Sequence, residues 1–288
     1  TQLLPGLTSQ YFPDLNVQGQ IAFNWDFTGS FEIYTMNNDG SNLSQRTFSA
    51  GFPHAPSYSP DGSSLTFERG GELYILNLNT NEEYHLAAGQ GYKSLPKWSP
   101  NGPRITFQNY INNGFDIFAV NTDGSNLVPL TSIHTASQPD WSSDGSEIVF
   151  LQEVSPAIDT LWVIDSSTGA FHRQLIDDTI VPVQWPAWSQ DGSRVVYSSG
   201  NSSGTSDPGG PYILSVSSGV AGSPPPCNLG TLTGAGHNPN FGLIPSVQAT
   251  AVPTVVPSAT PNTNSPTTPT IEECNSIPYK WWVKNKHT

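Results

Sequence analysis

Apolar and polar residues alternate in short runs along most of this chain, with the period of two that marks half-buried strands. Five such runs carry a central aromatic or apolar residue: EIYTM at Glu32–Met36, ELYIL at Glu72–Leu76, DIFAV at Asp116–Val120, TLWVI at Thr160–Ile164 and PYILSV at Pro211–Val216. Turn signals separate the runs. The clearest are NNDGSN at Asn37–Asn42 and NTDGSN at Asn121–Asn126, where Asp-Gly supplies the positive φ of a tight hairpin.

A second pattern sits ahead of these strands. PSYSPDGSSLTF (Pro56–Phe67), PKWSPNGPRITF (Pro96–Phe107), PDWSSDGSEIVF (Pro139–Phe150) and PAWSQDGSRVVY (Pro186–Tyr197) share Pro, any residue, an aromatic, Ser, a turn ending in Gly, then an alternating strand. The aromatics Tyr58, Trp98, Trp141 and Trp188 are spaced by 40, 43 and 47 residues. A period near forty fits a four-stranded propeller blade. Closing strands complete the unit, as in LVPLT at Leu127–Thr131 and LGTLT at Leu229–Thr233. The chain thus reads as an all-β propeller of four-stranded antiparallel blades, with five repeats from about Gly19 to Thr233. A lone blade leaves apolar faces uncovered, and stacking blades around an axis buries them. Trp98, Trp141 and Trp188 are therefore expected as inter-blade packing.

The repeat resembles the WD-like unit of the TolB translocation protein and its relatives, in the order Pro-x-Trp-Ser-Pro-Asp-Gly, Ile-x-Phe, Asp-Ile-Tyr, Asp-Gly, Leu-Thr. The resemblance implies the fold and favours six blades, whereas the count of complete repeats favours five. PDLN (Pro13–Asn16) is one source of an opening strand for the first repeat, GQIAF (Gly19–Phe23) onward. NPNFGLI (Asn238–Ile244) is another, closing a ring of five. In the six-blade reading, NPNFGLI and LLPGLT (Leu3–Thr8) share an irregular extra blade.

Residues 1–244 are assigned to the propeller. The uncharged, Thr/Pro/Ser-dominated 245–270 reads as a stalk, glycosylated or not, or as a linker. Residues 271–288, with Trp281 and Trp282 amid Lys280, Lys284 and Lys286, read as a docking segment or the cut edge of a longer protein. The start at Thr1, without Met or a signal-like run, reads as a mature or trimmed form.

Charge narrows the partners. Ten basic against 23 acidic residues give a formal charge of −13, which repels phosphate backbones and argues against nucleic acid. No apolar run has membrane-spanning length. Cys227 and Cys274 lie outside zinc-type spacings and are expected either as one disulfide across the Pro/Thr-rich stretch or as two free thiols.

Catalytic motifs fail in context. GNSSG (Gly200–Gly204) matches a nucleophile elbow but lies in a loop between two strands. The NNDGSN and NTDGSN turns put Thr35 and Arg46, or Ala119 and Leu130, at the first and twelfth positions of a calcium loop. No metal, no cofactor and no catalytic residue is assigned. The polar residues two positions before each repeat proline, His54, Ser94, Ser137, Gln184 and His237, are expected at the mouth of the central funnel as a partner-binding set. Trp281 and Trp282 are expected to anchor the tail. Three functions remain. One is a non-catalytic extracytoplasmic module (periplasmic, cell-surface or secreted) binding a protein or glycan. Another is a fibre or coat subunit that self-associates through its tail. The third is a polysaccharide-active enzyme using the funnel histidines.

Overall fold

A computed structural model describes residues 10–26, 29–48, 51–86, 88–155, 158–176, 183–199, 210–215 and 227–228. Among them are five four-stranded sheets, each a meander of consecutive antiparallel strands. Blade 1 comprises β1 (Gln10–Leu15), β2 (Gln20–Trp25), β3 (Glu32–Asn37) and β4 (Ser44–Gln45). Blade 2 comprises β5 (His54–Tyr58), β6 (Ser64–Arg69), β7 (Glu72–Asn77) and β8 (Glu83–Leu86). Blade 3 is β9 (Tyr92–Trp98), β10 (Arg104–Ile111), β11 (Gly114–Asn121) and β12 (Val128–Pro129). Blade 4 is β13 (Ala136–Trp141), β14 (Glu147–Ser155), β15 (Ile158–Asp165) and β16 (Phe171–Ile176). Blade 5 is β17 (Val183–Trp188), β18 (Arg194–Ser199), β19 (Gly210–Ser215) and β20 (Cys227–Asn228).

The first blade builds its own opening strand from Gln10–Leu15, which contains Pro13. Asn238–Ile244 is therefore not required to complete it, which removes that route to a closed ring of five. Leu3–Thr8, residues 229–244, the Pro/Thr-rich segment, the GNSSG motif, His237, Cys274, Trp281 and Trp282 lie outside the described residues.

The core lies between blades. Trp141 is 7% exposed and packs with Ile117, Ala119 and Leu130 of blade 3 and with Ile148, Phe150 and Ile164 of its own blade. Trp188 bridges blades 4 and 5 through Val149, Leu151, Leu161 and Val163, and Tyr58 bridges blades 1 and 2 through Ala22 and Ile33. Each wedge sits two residues after the repeat proline, so the sequence period sets the inter-blade contact. Large aromatic surface buried this way holds neighbouring sheets together, beside a few main-chain links such as the Lys93 N–H to the Gly71 carbonyl and the Phe115–Thr135 bridge.

The turns divide the propeller into two unlike faces. Each inner strand starts at the upper face and ends at the lower one, in an Asp-Gly or Asn-Gly hairpin in blades 2 to 5 and in the turn Asn16–Gly19 in blade 1. Ser and Thr hydroxyls close the lower turns: the Asp61 carboxylate accepts from the Ser59 and Ser63 hydroxyls and the Ser63 N–H. Asp144 and Asp191 repeat the arrangement with Ser142 and Ser146, and with Ser189 and Ser193. These hydrogen bonds hold all three carboxyls below the usual range. Asp39, Asp123 and Asp165 are lowered in the same way in the hairpins after the third strand.

Candidate functional site

The axis is built from one local device repeated five times. In every inner strand the register slips between the second residue before the proline and the residue after it: Tyr11/Asp14, His54/Ser57, Ser137/Asp140, Gln184/Ala187, and the same step in β9 opposite Thr106/Gln108. Proline has no N–H for the ladder, so the X-Pro pair bulges outward. The X residue is left-handed in all five cases: Phe12 (φ 53), Ala55 (φ 49), Leu95 (φ 51), Gln138 (φ 55) and Trp185 (φ 55). None is glycine, so each stores backbone strain that its surroundings must hold. Opposite each bulge stands a buried aromatic, Phe23, Phe67, Phe107, Phe150 or Tyr197.

The bulges gather the X-Pro pairs into the wall of an axial waist enclosing about 50 Å³. That volume admits a few water molecules and no larger ligand. Phe12 of the first blade meets Trp185 of the fifth across it, edge to face at 5.4 Å between ring centroids.

Above the waist lies the upper mouth. The structure places His54, Ser94, Ser137 and Gln184 on equivalent positions of four inner strands, paired across the ladder with Glu68, Gln108, Leu151 and Ser198. Their environments differ. His54 lies 3.3 Å from the Asn24 amide and packs by Phe31 at 5.4 Å and Phe12 at 6.5 Å. Burial pulls its pKa below the ordinary histidine value, so its ring is neutral at pH 7. Ser94 accepts from Gln108 at 2.9 Å, Gln108 accepts from the Gln138 N–H at 2.9 Å, and Gln138 accepts from the Trp185 N–H. This relay ties blades 3, 4 and 5 through the bulge amides, so Ser94 has a structural task as well. Gln184 accepts the Ser198 hydroxyl through its main-chain oxygen. Glu68, which the sequence did not single out, also faces this end. Burial raises its carboxyl, against the Gly71 N–H and the Tyr92 hydroxyl.

Exposed apolar side chains surround the mouth on upper-face loops and strand ends: Phe48 (78% exposed), Val154 (59%), Phe52 (56%), Tyr92 and Tyr110.

Below the waist the axis widens into a vestibule of about 200 Å³. Here the residues after the repeat prolines converge. Asp14 accepts from the Tyr58 N–H, Ser57 from the Trp98 N–H and Asp140 from the Trp188 N–H, each residue satisfying the inner edge of the next blade. Blade 3 has Lys97 at this position. Its ammonium lies 3.8 Å from Asp14 and 4.0 Å from Asp140. Burial pushes Asp140 up to about 6; Lys97 and the Trp188 N–H pull against it, and Asp14 adds to it. Among the described residues no group of three or more His, Cys, Asp or Glu side chains is placed to hold a metal ion, and no helix is long and apolar enough to cross a membrane.

The comparisons with known proteins agree with the repeat. The chain resembles TolB from Acinetobacter baumannii at 22% identity and TM-score 0.64, over 74% of this chain and 53% of that one. It thus spans about half the length of that relative. Kuenenia stuttgartiensis hydrazine synthase shares the fold at TM-score 0.60 and 15% identity, over 83% of this chain and 72% of that one. A chain of the nidogen/laminin complex shares it at TM-score 0.57 and 9% identity, over 72% and 76%. No curated protein sequence matches significantly. The model of the TolB beta propeller domain matches residues 8–192, well over half the chain, and the protein belongs to that family.

Proposed function

We propose that this propeller is a non-catalytic, extracytoplasmic interaction module that takes a partner polypeptide at its upper mouth. The family supports an interaction role in general. The observation that carries the reading is the exposed apolar set of the upper face: Phe48, Phe52, Tyr92, Tyr110 and Val154 stand exposed around a mouth that holds His54, Ser94, Ser137 and Gln184. Exposed aromatics give a partner large apolar contact area. His54, uncharged and held between Phe12 and Phe31, accepts from the Asn24 amide through Nδ1 and offers its Nε2–H as a donor. Ser137 and Gln184 extend the polar rim, and His237 joins this set by its place in the sequence pattern. The waist beneath excludes anything wider than water, so the partner rests on the mouth without threading the axis.

A photo-crosslinking residue at Phe52, compared with one at Phe171 on an outer strand, tests this in extract of the native source. A discrete adduct with another polypeptide at position 52 alone supports the reading. Equal adducts at both positions, or none, overturn it. An adduct with a second copy of this chain replaces it with the fibre or coat subunit.

A further inference from the structure

Two side chains at the upper mouth are arranged to exchange donor and acceptor roles around one proton. Asn24 and Gln108 hold the same rung of blades 1 and 3, opposite Tyr11 and Ser94. Both reach the next blade. Gln108 uses both ends of its amide: Nε2 donates to Ser94 at 2.9 Å, and Oε1 accepts from the Gln138 N–H at 2.9 Å. Asn24 is one methylene shorter and meets the His54 ring instead, with Nδ2 at 3.3 Å from Nδ1. The other end of this amide is idle. Asn24 is 0% exposed, and its Oδ1 is buried with no hydrogen-bond partner among the described residues. An orphaned buried acceptor costs free energy, and native proteins seldom keep one without a use for it. Because nothing else holds the Asn24 amide, the His54 ring alone sets which way it faces.

Neutral His54 accepts the Asn24 N–H through Nδ1. Protonated His54 carries an N–H on both ring nitrogens and accepts nothing. Turning the Asn24 amide over sets Oδ1 against the new Nδ1–H. The exchange leaves Nδ2 idle in turn, but a charge-assisted bond is about twice as strong as the neutral one it replaces. Phe31, 5.4 Å away between ring centroids, presents an aromatic ring of the kind that tolerates a cation. The strands packed against β5 carry other titratable groups, each engaged elsewhere. Asp14 and Lys97 belong to the vestibule. Glu32 accepts from Thr47, Tyr34 donates to Gln45, and Glu68 accepts from the Gly71 N–H and the Tyr92 hydroxyl. Arg69 pairs with Glu83, and Lys93 with Glu72. Asp26 stands just beyond β2. Burial, and none of these charges, lowers the titration of His54.

We propose that Asn24 and His54 form a proton-operated latch on the upper mouth: on acidification His54 takes up a proton at Nδ1, the Asn24 amide turns over to accept it through Oδ1, and the partner polypeptide is released. The release rests on the partner reading above; the latch does not. A polypeptide seated on the mouth strips the remaining water from His54 and so favours the uncharged ring. By linkage its affinity is complete above the ordinary histidine value of 6.5 and falls as the pH drops through the lowered value of the folded protein, by up to about tenfold per unit. Covering Glu68 favours its protonated form and gives the opposite slope, so the test singles out His54 by changing Asn24, which touches only the ring.

The test follows the full chain, uniformly labelled with nitrogen-15, by NMR from about pH 8 to about pH 4.5, with His54→Gln identifying the ring signals. The ring is expected to carry its proton on Nε2 at pH 7, and the Asn24 side-chain amide to shift with the same midpoint as the ring. Asn24→Leu removes the acceptor for the charged ring and is expected to lower that midpoint by about half a unit or more, whereas Asn24→Asp is expected to raise it by about one unit or more. Urea melts confirm folding; where the added charge unfolds the protein, Asn24→Leu alone carries the test. In the extract crosslinking at Phe52, the adduct is expected to fall at least about fivefold from pH 7.5 to pH 5, with a midpoint that follows His54 in each Asn24 variant. An Asn24 amide that ignores the ring titration, or a His54 midpoint that Asn24→Leu leaves in place, overturns the latch. An adduct that persists at pH 5, or a fall indifferent to the Asn24 variants, overturns the release and leaves the partner reading standing. No adduct at either pH overturns the partner reading and with it the release, while the NMR midpoints still decide the latch.

Discussion

Asp140→Asn is the substitution in which burial and ion pairing oppose each other most directly. The side chain retains a carbonyl oxygen for the Trp188 N–H and loses the charge. In the folded protein burial lifts the carboxyl from 3.8 to about 6, despite Lys97. Each pKa unit corresponds to about 1.4 kcal/mol, so the ionised group disfavours folding by about 3 kcal/mol. Its 19% exposed side chain trims this to about 2. The sign follows from the raised folded pKa: the stabilising contribution of the protonated group is complete below pH 4 and is lost as the pH rises through 6. The variant is therefore expected to match the wild type at pH 3.5 and to exceed it by about 2 kcal/mol at pH 8. With a urea m-value of about 2–3 kcal/mol/M, that is a midpoint about 1 M higher. The lowered hairpin aspartates contribute the opposite slope, but they are common to both proteins and cancel in the difference. A variant less stable than the wild type at pH 8 would show that the 4.0 Å contact with Lys97 outweighs desolvation, and the reasoning fails.

Further substitutions test the wedges, the turns and the cysteines. Trp141→Ala is expected to lose about 3–5 kcal/mol in denaturant melts, the usual effect of truncating a buried Trp, and a loss under 1 kcal/mol refutes its wedge role. Gly169→Ala forces a side chain onto φ +72 and sets its Cβ 2.1 Å from the Leu130 carbonyl oxygen. A loss of about 2 kcal/mol or more is expected, whereas Gly70→Ala, at φ +63 with nothing within 4 Å, shows the backbone contribution alone. Cys227 and Cys274 are expected to be joined, so intact mass should rise by two hydrogens on reduction, and two alkylatable thiols in the native protein would exclude the bond.

The parts of this fold that repeat were legible in the sequence. Tyr58, Trp98, Trp141 and Trp188 recur at blade spacing because each solves the same packing problem, and the Asp-Gly turns announce their hairpins by composition. The left-handed bulges were not legible. Phe12, Ala55, Leu95, Gln138 and Trp185 argue individually against positive φ, the following proline favours extended backbone before it, and only the surrounding ladder imposes the left-handed turn. The mouth was half legible. His54, Ser94, Ser137 and Gln184 do occupy equivalent inner-strand positions, but the neutrality of His54 and the diversion of Ser94 into the Gln108–Gln138 relay come from packing. The vestibule was invisible. The position after the proline holds Asp14, Ser57, Lys97, Asp140 and Ala187, a series without pattern until the ring brings its members face to face.

The edge-to-face contact of Phe12 with Trp185 differs in kind from every strand pairing among the described residues. All ladders among the described residues join strands adjacent in the chain, so each described blade forms from local contacts, and successive blades can add in order as the polypeptide is made. Phe12 and Trp185 come from the first and fifth blades, and their union must wait until nearly the whole described chain exists. Such a joint is last to form and first to part. Amide exchange should accordingly be faster in blades 1 and 5 than in blades 2 and 3. The described blades would then loosen from the two ends of the series, the middle sheets still stacked.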